Sequence, residues 1–106
     1  MIVVSISTTD IMVDGHAGYA EQGKDIICSA VSVLTFNLIK SIESLTKDKI
    51  RYQADNPGHI NIEFENLSEQ SKLLVDSFFV GISDVATTYP EYVQIIGTAP
   101  NGRKAE

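Results

Sequence analysis

Residues 25–46 read DIICSAVSVLTFNLIKSIESLT, and this stretch decides the fold because its apolar residues recur at helical spacing. At about 100° per residue, six of them share one stripe that a sheet must cover. A second apolar side carries Ile26, Val33 and Phe36, so the helix either lies at the centre of its fold or meets another subunit. We favour a homodimer. The core stripe consists of Ile27, Val31, Leu34, Leu38, Ile42 and Leu45.

Short apolar or alternating runs on both sides of this helix predict strands. Residues 1–7 and 11–16 precede it and are joined by a turn at Thr9-Asp10. Residues 49–54 and 59–65 follow it as a hairpin, with Pro57-Gly58 at the centre of a type II turn. A second amphipathic helix is capped within residues 66–69 and ends at Pro90, and residues 91–98 form a last strand.

The resulting order ββαββαβ predicts a single α+β domain over residues 1–106. Because both helices are amphipathic, we expect two layers, with a mixed or antiparallel sheet and both helices on one of its faces. Residues 99–106 have the composition of a loose tail.

Composition limits the function. Of the 106 residues, 43% are hydrophobic and 21% charged, which is ordinary for a folded domain, and the net charge is −6. An acidic chain disfavours nucleic acid and favours a basic partner. The single cysteine, Cys28, excludes an internal disulfide and a multi-cysteine metal cluster, so we expect no metal and no cofactor. The apolar run 26–39 is too short and too polar for a bilayer, which predicts a cytoplasmic protein without a membrane partner.

The chemistry is predicted at the start of the long helix. With Asp25 as the N-cap, Cys28 is the third residue of the first turn. The N–H groups and the positive end of the helix dipole favour the thiolate, although the charge of Asp25 opposes it. Backbone N–H groups near Cys28 and Ser29 are candidates to hold an oxyanion. Cys28, Ser32 and Thr35 form a polar stripe that is typical of a cleft lining.

A glycine-rich loop, residues 15–24, separates Cys28 from His16. Twelve residues are enough for this loop to bring the imidazole back to the sulfur, as a thiolate–imidazolium pair requires. The loop is expected to close over a peptide. Its Tyr19 is either a substrate contact or a half-buried anchor, and His59 is interpreted as a surface residue. The other residues assigned to substrate binding and loop closure are Gly15, Gly18 and Gly23.

The motif Gly-His-Ala-Gly-Tyr-Ala at residues 15–20, followed by Asp-Ile-Ile-Cys-Ser-Ala-Val-Ser at residues 25–32, resembles the ribosomal-processing cysteine protease Prp family. The length and the element order of the whole chain are similar to that family too. The two motifs are specific only as a pair.

The resemblance implies a cytoplasmic, homodimeric cysteine endopeptidase without a cofactor. Its substrate is implied to be the large-subunit ribosomal protein twenty-seven, which carries an N-terminal extension that is cut after an aromatic pair. Cys28 corresponds to the nucleophile and His16 to the base. Whether Asp14 or Asp25 orients His16 stays open.

Two other functions are compatible with the residues. One is a non-catalytic, ribosome-associated interaction module in which Cys28 is structural, as a buried cysteine usually is. The other is a redox sensor, which ranks last because no second cysteine is present to resolve a sulfenic acid.

Overall fold

The computed structural model describes residues 1–21, 25–55 and 58–102. The predicted order ββαββαβ is confirmed, with most boundaries within two residues of those expected. The elements are β1 (Ile2–Ile6), β2 (Asp10–Gly15), α1 (Ile26–Leu45), β3 (Arg51–Asp55), β4 (His59–Glu63), α2 (Glu69–Thr88) and β5 (Val93–Gly97).

The five strands form one mixed sheet in the order β3-β4-β2-β1-β5. Three neighbouring pairs are antiparallel, whereas β1 and β5 are parallel because the chain crosses over through α2 before it reaches β5. In this order the end of β2 lies beside the start of β4, where Asp14 is the partner of His59. The loop after β2 and the loop before β4, which are distant in sequence, therefore meet at one end of the sheet.

The core lies between one face of the sheet and the two helices. Alternate residues of β1, β2 and β4 are buried there, together with most of the predicted stripe of α1 and with apolar residues of α2. Leu45 is an exception, since it is 69% exposed. It lies 18 residues, or about five turns, from Ile27 and so points in the same direction, but the last turn of α1 extends beyond the core. Ile39, which the stripe omitted, is fully buried.

The second apolar side of α1 is exposed. Ile26, Val33 and Phe36 are 58%, 68% and 39% accessible, so a position at the centre of the fold was the wrong alternative. The sequence predicted a run too short and too polar for a bilayer, but α1 continues to Leu45 and is long and apolar enough to cross one. Its buried stripe belongs to the same core as the sheet.

The expectation of a loose tail is wrong for residues 99–102. Ala99 is 1% exposed, and Asn101 Nδ2 donates a hydrogen bond of 2.7 Å to Asp76 on α2. Thr98 N–H also donates to the carbonyl of Ile6, which continues the pairing of β5 with β1. A small apolar side chain and an amide are thus enough to hold this segment on the domain. Residues 103–106 lie outside the described residues.

The hairpin of β3 and β4 is antiparallel as predicted, although β3 is exposed along its whole length. The type II turn predicted before β4 includes Asn56 and Pro57, which lie outside the described residues. Gly58, at its second central position, is described. It has φ +101°.

A polar contact joins the end of α1 to the start of α2. Asp48 accepts hydrogen bonds from the N–H (2.9 Å) and the hydroxyl (2.7 Å) of Ser68, the N-cap of α2. The hydroxyls of Ser71 and Ser68, together with the Ser68 N–H, hold the pKa of Asp48 below its ordinary value, whereas burial opposes this. A carboxylate with a lowered folded-state pKa stabilises the fold above its unfolded pKa, and this stabilisation is lost as the pH falls through the folded-state value.

We therefore expect Asp48→Asn to reduce the acid sensitivity of the domain. Urea unfolding at pH 7 and at pH 3 should give a smaller difference in stability for Asp48→Asn than for the unmodified protein. Asp84→Asn, on the exposed side of α2, is the matched control and should keep the full difference. An unchanged difference in Asp48→Asn would mean that ionised Asp48 contributes nothing to the link between the helices.

Candidate active site

His16 lies immediately after β2, where Gly15 turns the chain. Gly15 has φ +102°, and a Cβ there would collide with the carbonyl oxygen of Met1, so only glycine fits. The strand thus ends one residue before His16, which is an exposed residue at this end of the sheet.

Asp25 is the N-cap of α1, as predicted, and it also anchors the preceding loop. Its Oδ1 accepts the N–H groups of Ile27 and Cys28, both at 3.0 Å. Its Oδ2 accepts the N–H of Tyr19, also at 3.0 Å. The Cys28 N–H is the main cause that holds the pKa of Asp25 below its ordinary value, while burial of the carboxylate acts in the opposite direction. Asp25 is therefore an ionised group that joins the helix start to the loop.

Cys28 is half-buried and lies next to the segment that carries His16. The N–H of Ala17 donates a hydrogen bond to Cys28 Sγ at 3.4 Å. Because Ala17 directly follows His16, this contact brings the two ends of the glycine-rich loop together. Nothing in the residue pattern pointed to Ala17, since its role depends on its backbone alone.

A cleft of about 590 Å³ opens at this place, between the start of α1 and the adjoining ends of β2 and β4. This volume lies in the usual range for a ligand pocket. His16 and Cys28 both line this cleft, and Gly15, Gly18, Asp25 and Ser29 also line it. Its apolar lining includes Val13, Val31, Val33 and Ile60.

The N–H groups of Cys28 and Ser29, predicted to hold an oxyanion, already have acceptors. Cys28 N–H bonds to the Asp25 side chain, and Ser29 N–H bonds to the Asp25 carbonyl at 3.1 Å. Ser29 is the first residue that makes an ordinary i to i−4 helical bond, and the N-cap uses the N–H group just before it. The prediction treated both N–H groups as unpaired, whereas the N-cap side chain accepts one and the first helical hydrogen bond uses the other.

The side chain of Tyr19 packs against other aromatic rings. Its ring packs edge-to-face against Tyr89 at 6.0 Å and Tyr92 at 5.3 Å, although the residue is 45% exposed. This is the anchor alternative: the aromatic contacts fasten the loop to the end of α2.

The other residues predicted for the site have different outcomes. Thr35 does not line the cleft but is fully buried, where its hydroxyl donates to the carbonyl of Val31. His59 is a surface residue as predicted, since its side chain is 39% exposed, but it also lines the cleft and its Nδ1 lies 3.2 Å from Asp14 Oδ1. Asp14 and Asp25 thus direct their hydrogen bonds elsewhere than to His16. Gly23 lies outside the described residues.

Comparison with known proteins gives a consistent result. The family model for cysteine protease Prp matches residues 1–94. The ribosomal processing cysteine protease Prp of Staphylococcus aureus is 30% identical over 104 residues, which cover 90% of this chain and 97% of that protein. The protein of the same name from Mycoplasma genitalium is 28% identical and covers 90% of this chain and 94% of its own length.

Solved structures agree with these relatives. The S. aureus ribosomal processing protease Prp, crystallised with a covalently linked product peptide, superposes with a TM-score of 0.84 at 26% identity, covering 90% of this chain and 97% of the other. SMU.848 from Streptococcus mutans gives 0.75 at 30% identity, with coverage of 90% and 91%. The fold, the cleft with its cysteine and the family match all agree: this chain belongs to the Prp family of cysteine proteases.

Proposed function

We propose that this cysteine protease removes the N-terminal extension of the large-subunit ribosomal protein twenty-seven in the cytoplasm, with Cys28 as nucleophile and His16 as base. The observation that carries the proposal is the contact of Ala17 N–H with Cys28 Sγ, which brings His16 and Cys28 into one cleft. The relatives named as ribosomal processing proteases support the substrate class.

The proposed reaction has two steps. His16 takes the proton of Cys28, and the thiolate attacks the scissile carbonyl carbon to form a tetrahedral intermediate. As this intermediate collapses, His16 protonates the leaving amine and an acyl-enzyme remains. Water, deprotonated by His16, then hydrolyses the thioester and restores Cys28. Ala17 N–H, which donates to Cys28 Sγ, holds the nucleophile beside the segment that carries His16.

The substrate preference follows from the lining and from the charge. The apolar residues Val13, Val31 and Ile60 suit aromatic side chains on the acyl side of the cut. The net charge of −6 suits a basic ribosomal protein and attracts it over long distances.

The decisive experiment is incubation with the extended ribosomal protein and mass spectrometry of the products. We expect one cut, after the aromatic pair, and no cut in a substrate whose aromatic pair is replaced by serines. An intact substrate together with slow, ordinary alkylation of Cys28 would instead favour the interaction module with a structural cysteine.

We further propose that the enzyme is a homodimer that covers the exposed side of α1. Ile26, Val33 and Phe36 expose a continuous apolar surface there, next to the cleft. Val33→Glu introduces a charge at a side chain that is already 68% exposed, so it should dissociate the dimer without disturbing the core. Leu73→Glu on α2, 67% exposed, is the matched control. Light scattering should give a dimeric mass for the control and a monomeric mass for Val33→Glu; equal masses would exclude this surface.

Asp25→Ala should lower both stability and cleavage, because Asp25 holds Tyr19 N–H as well as the helix start. We expect cleavage to fall about 10-fold or more as the loop loses its anchor. Ser68→Ala removes the N-cap of the remote helix α2 and is the matched control. It should cost about 1 kcal/mol of stability and leave cleavage unchanged. If cleavage falls equally in both variants, Asp25 acts only as a cap.

A further inference from the structure

The imidazole of His16 lies directly against the backbone of Gly58. A Cβ added at Gly58 would be 2.7 Å from His16 Nε2 and 2.8 Å from His16 Cε1. On its other side it would be 3.1 Å from the carbonyl oxygen of Gly15. Non-bonded carbon atoms pack at about 3.5–4.0 Å, so a side chain at residue 58 and the present position of the imidazole exclude each other.

The backbone at Gly58 is fixed relative to His16. Gly15 N–H donates a short hydrogen bond of 2.7 Å to the carbonyl of Gly58, directly beyond the last pair of the β2–β4 ladder, Asp14 and His59. This bond joins Gly15, the residue before His16, to Gly58, the residue on which the imidazole rests. Gly58 has φ +101°, a conformation that side chains disfavour, so the strain of this turn must be separated from the contact with His16.

We propose that Gly58 is a positioning residue for proteolysis, whose bare backbone is the surface that sets the position of the His16 imidazole in the cleft. This proposal rests on the proposed role of His16 as the base. A glycine that served only the turn would not need the His16 ring against its backbone, where a Cβ would collide with it. Gly58 lines the same cleft as His16 and Cys28, opposite the start of α1.

A larger residue at position 58 must displace the imidazole, because the other neighbour, the Gly15 carbonyl, belongs to the hydrogen-bonded backbone. His16 is an exposed residue, so its imidazole can rotate away from Gly58 without unfolding the domain. A misplacement of about 1 Å in a catalytic group costs about 100-fold in rate. We expect this loss in kcat, with KM changed less than about 3-fold, since the apolar lining on α1 stays intact.

The test compares Gly58→Ala and Gly58→Asn with Gly102→Ala and Gly102→Asn. Gly102 has a similar φ, +86°, but no atom of the described residues lies within 4 Å of an added Cβ, so it reproduces the strain without the contact. Asparagine tolerates positive φ better than alanine and still carries a Cβ, so it keeps the contact and reduces the strain. The measurements are kcat and KM on the aromatic peptide substrate, thermal unfolding, and the pH midpoint of Cys28 alkylation.

Both Gly58 variants should lose kcat about 100-fold and shift the alkylation midpoint, and both Gly102 variants should change neither. If either alanine variant does not fold, the comparison of Gly58→Asn with Gly102→Asn is the test. The proposal is overturned if Gly58→Asn keeps kcat within about 3-fold, or if the Gly102 variants lose as much as the Gly58 variants. His16→Ala in the same assay separates the two levels: its retained activity would refute the base, whereas its loss beside an active Gly58→Asn would refute only the positioning role.

Discussion

Cys28→Ala is expected to abolish cleavage of the extended ribosomal protein and of aromatic peptides, to less than about 1 part in 10⁴ of the unmodified rate. The reason is chemical, because alanine carries no atom that can form the acyl-enzyme. The Ala17 N–H, which donates to the sulfur, would lose its acceptor. Mass spectrometry of the substrate over several hours measures the residual rate.

The fold should survive this substitution. Cys28 is only half-buried, and alanine is the strongest helix former, so we expect the stability to change by about 1 kcal/mol or less. Circular dichroism and thermal unfolding check this. Cys28→Ser, which keeps a similar shape, should also be nearly inactive because a hydroxyl is a far weaker acid than a thiol. A folded Cys28→Ala variant that still cleaves would eliminate Cys28 as the nucleophile.

The fold was predictable from sequence wherever a regular element faces the core on one side. Ile27, Val31, Leu38 and Ile42 repeat at helical spacing, and their burial confirms the prediction. Leu45 continues the same spacing and is nevertheless exposed, because periodicity gives a direction and not the place where the sheet ends.

The site was predictable only where its chemistry lies in side chains. Cys28, His16 and Asp25 are recognisable by residue type, and the structure brings all three to one cleft. The contribution of Ala17 is made by a backbone N–H, which every residue but proline carries, so sequence cannot single it out. The contact of Gly58 with His16 depends on pairing between β2 and β4, whose partners are 45 residues apart at Asp14 and His59.

The distinction between the two histidines now rests on geometry. Both line the cleft, so proximity to it does not identify the base. His59 lies with its Nδ1 3.2 Å from the carboxylate of Asp14, whereas His16 is joined through Ala17 to the sulfur. Only His16 is therefore on the segment that contacts Cys28.

His16→Ala should accordingly reduce kcat about 10³-fold, the contribution of a positioned general base. His59→Ala should reduce it less than about 10-fold, through the loss of its contact with Asp14. Rates of peptide cleavage, with thermal unfolding of each variant, provide the comparison.

Added imidazole gives this prediction its most specific test. Removal of the His16 ring leaves space against Gly58 in a cleft of about 590 Å³ that is open to small molecules. Free imidazole should therefore restore part of the rate of His16→Ala in a concentration-dependent manner, and it should leave Cys28→Ala inactive. A His16→Ala variant that is folded, equally slow at all imidazole concentrations, and matched in its loss by His59→Ala would show that the cleft needs both rings for its shape. In that case the proton of Cys28 would have to be taken by a group other than His16.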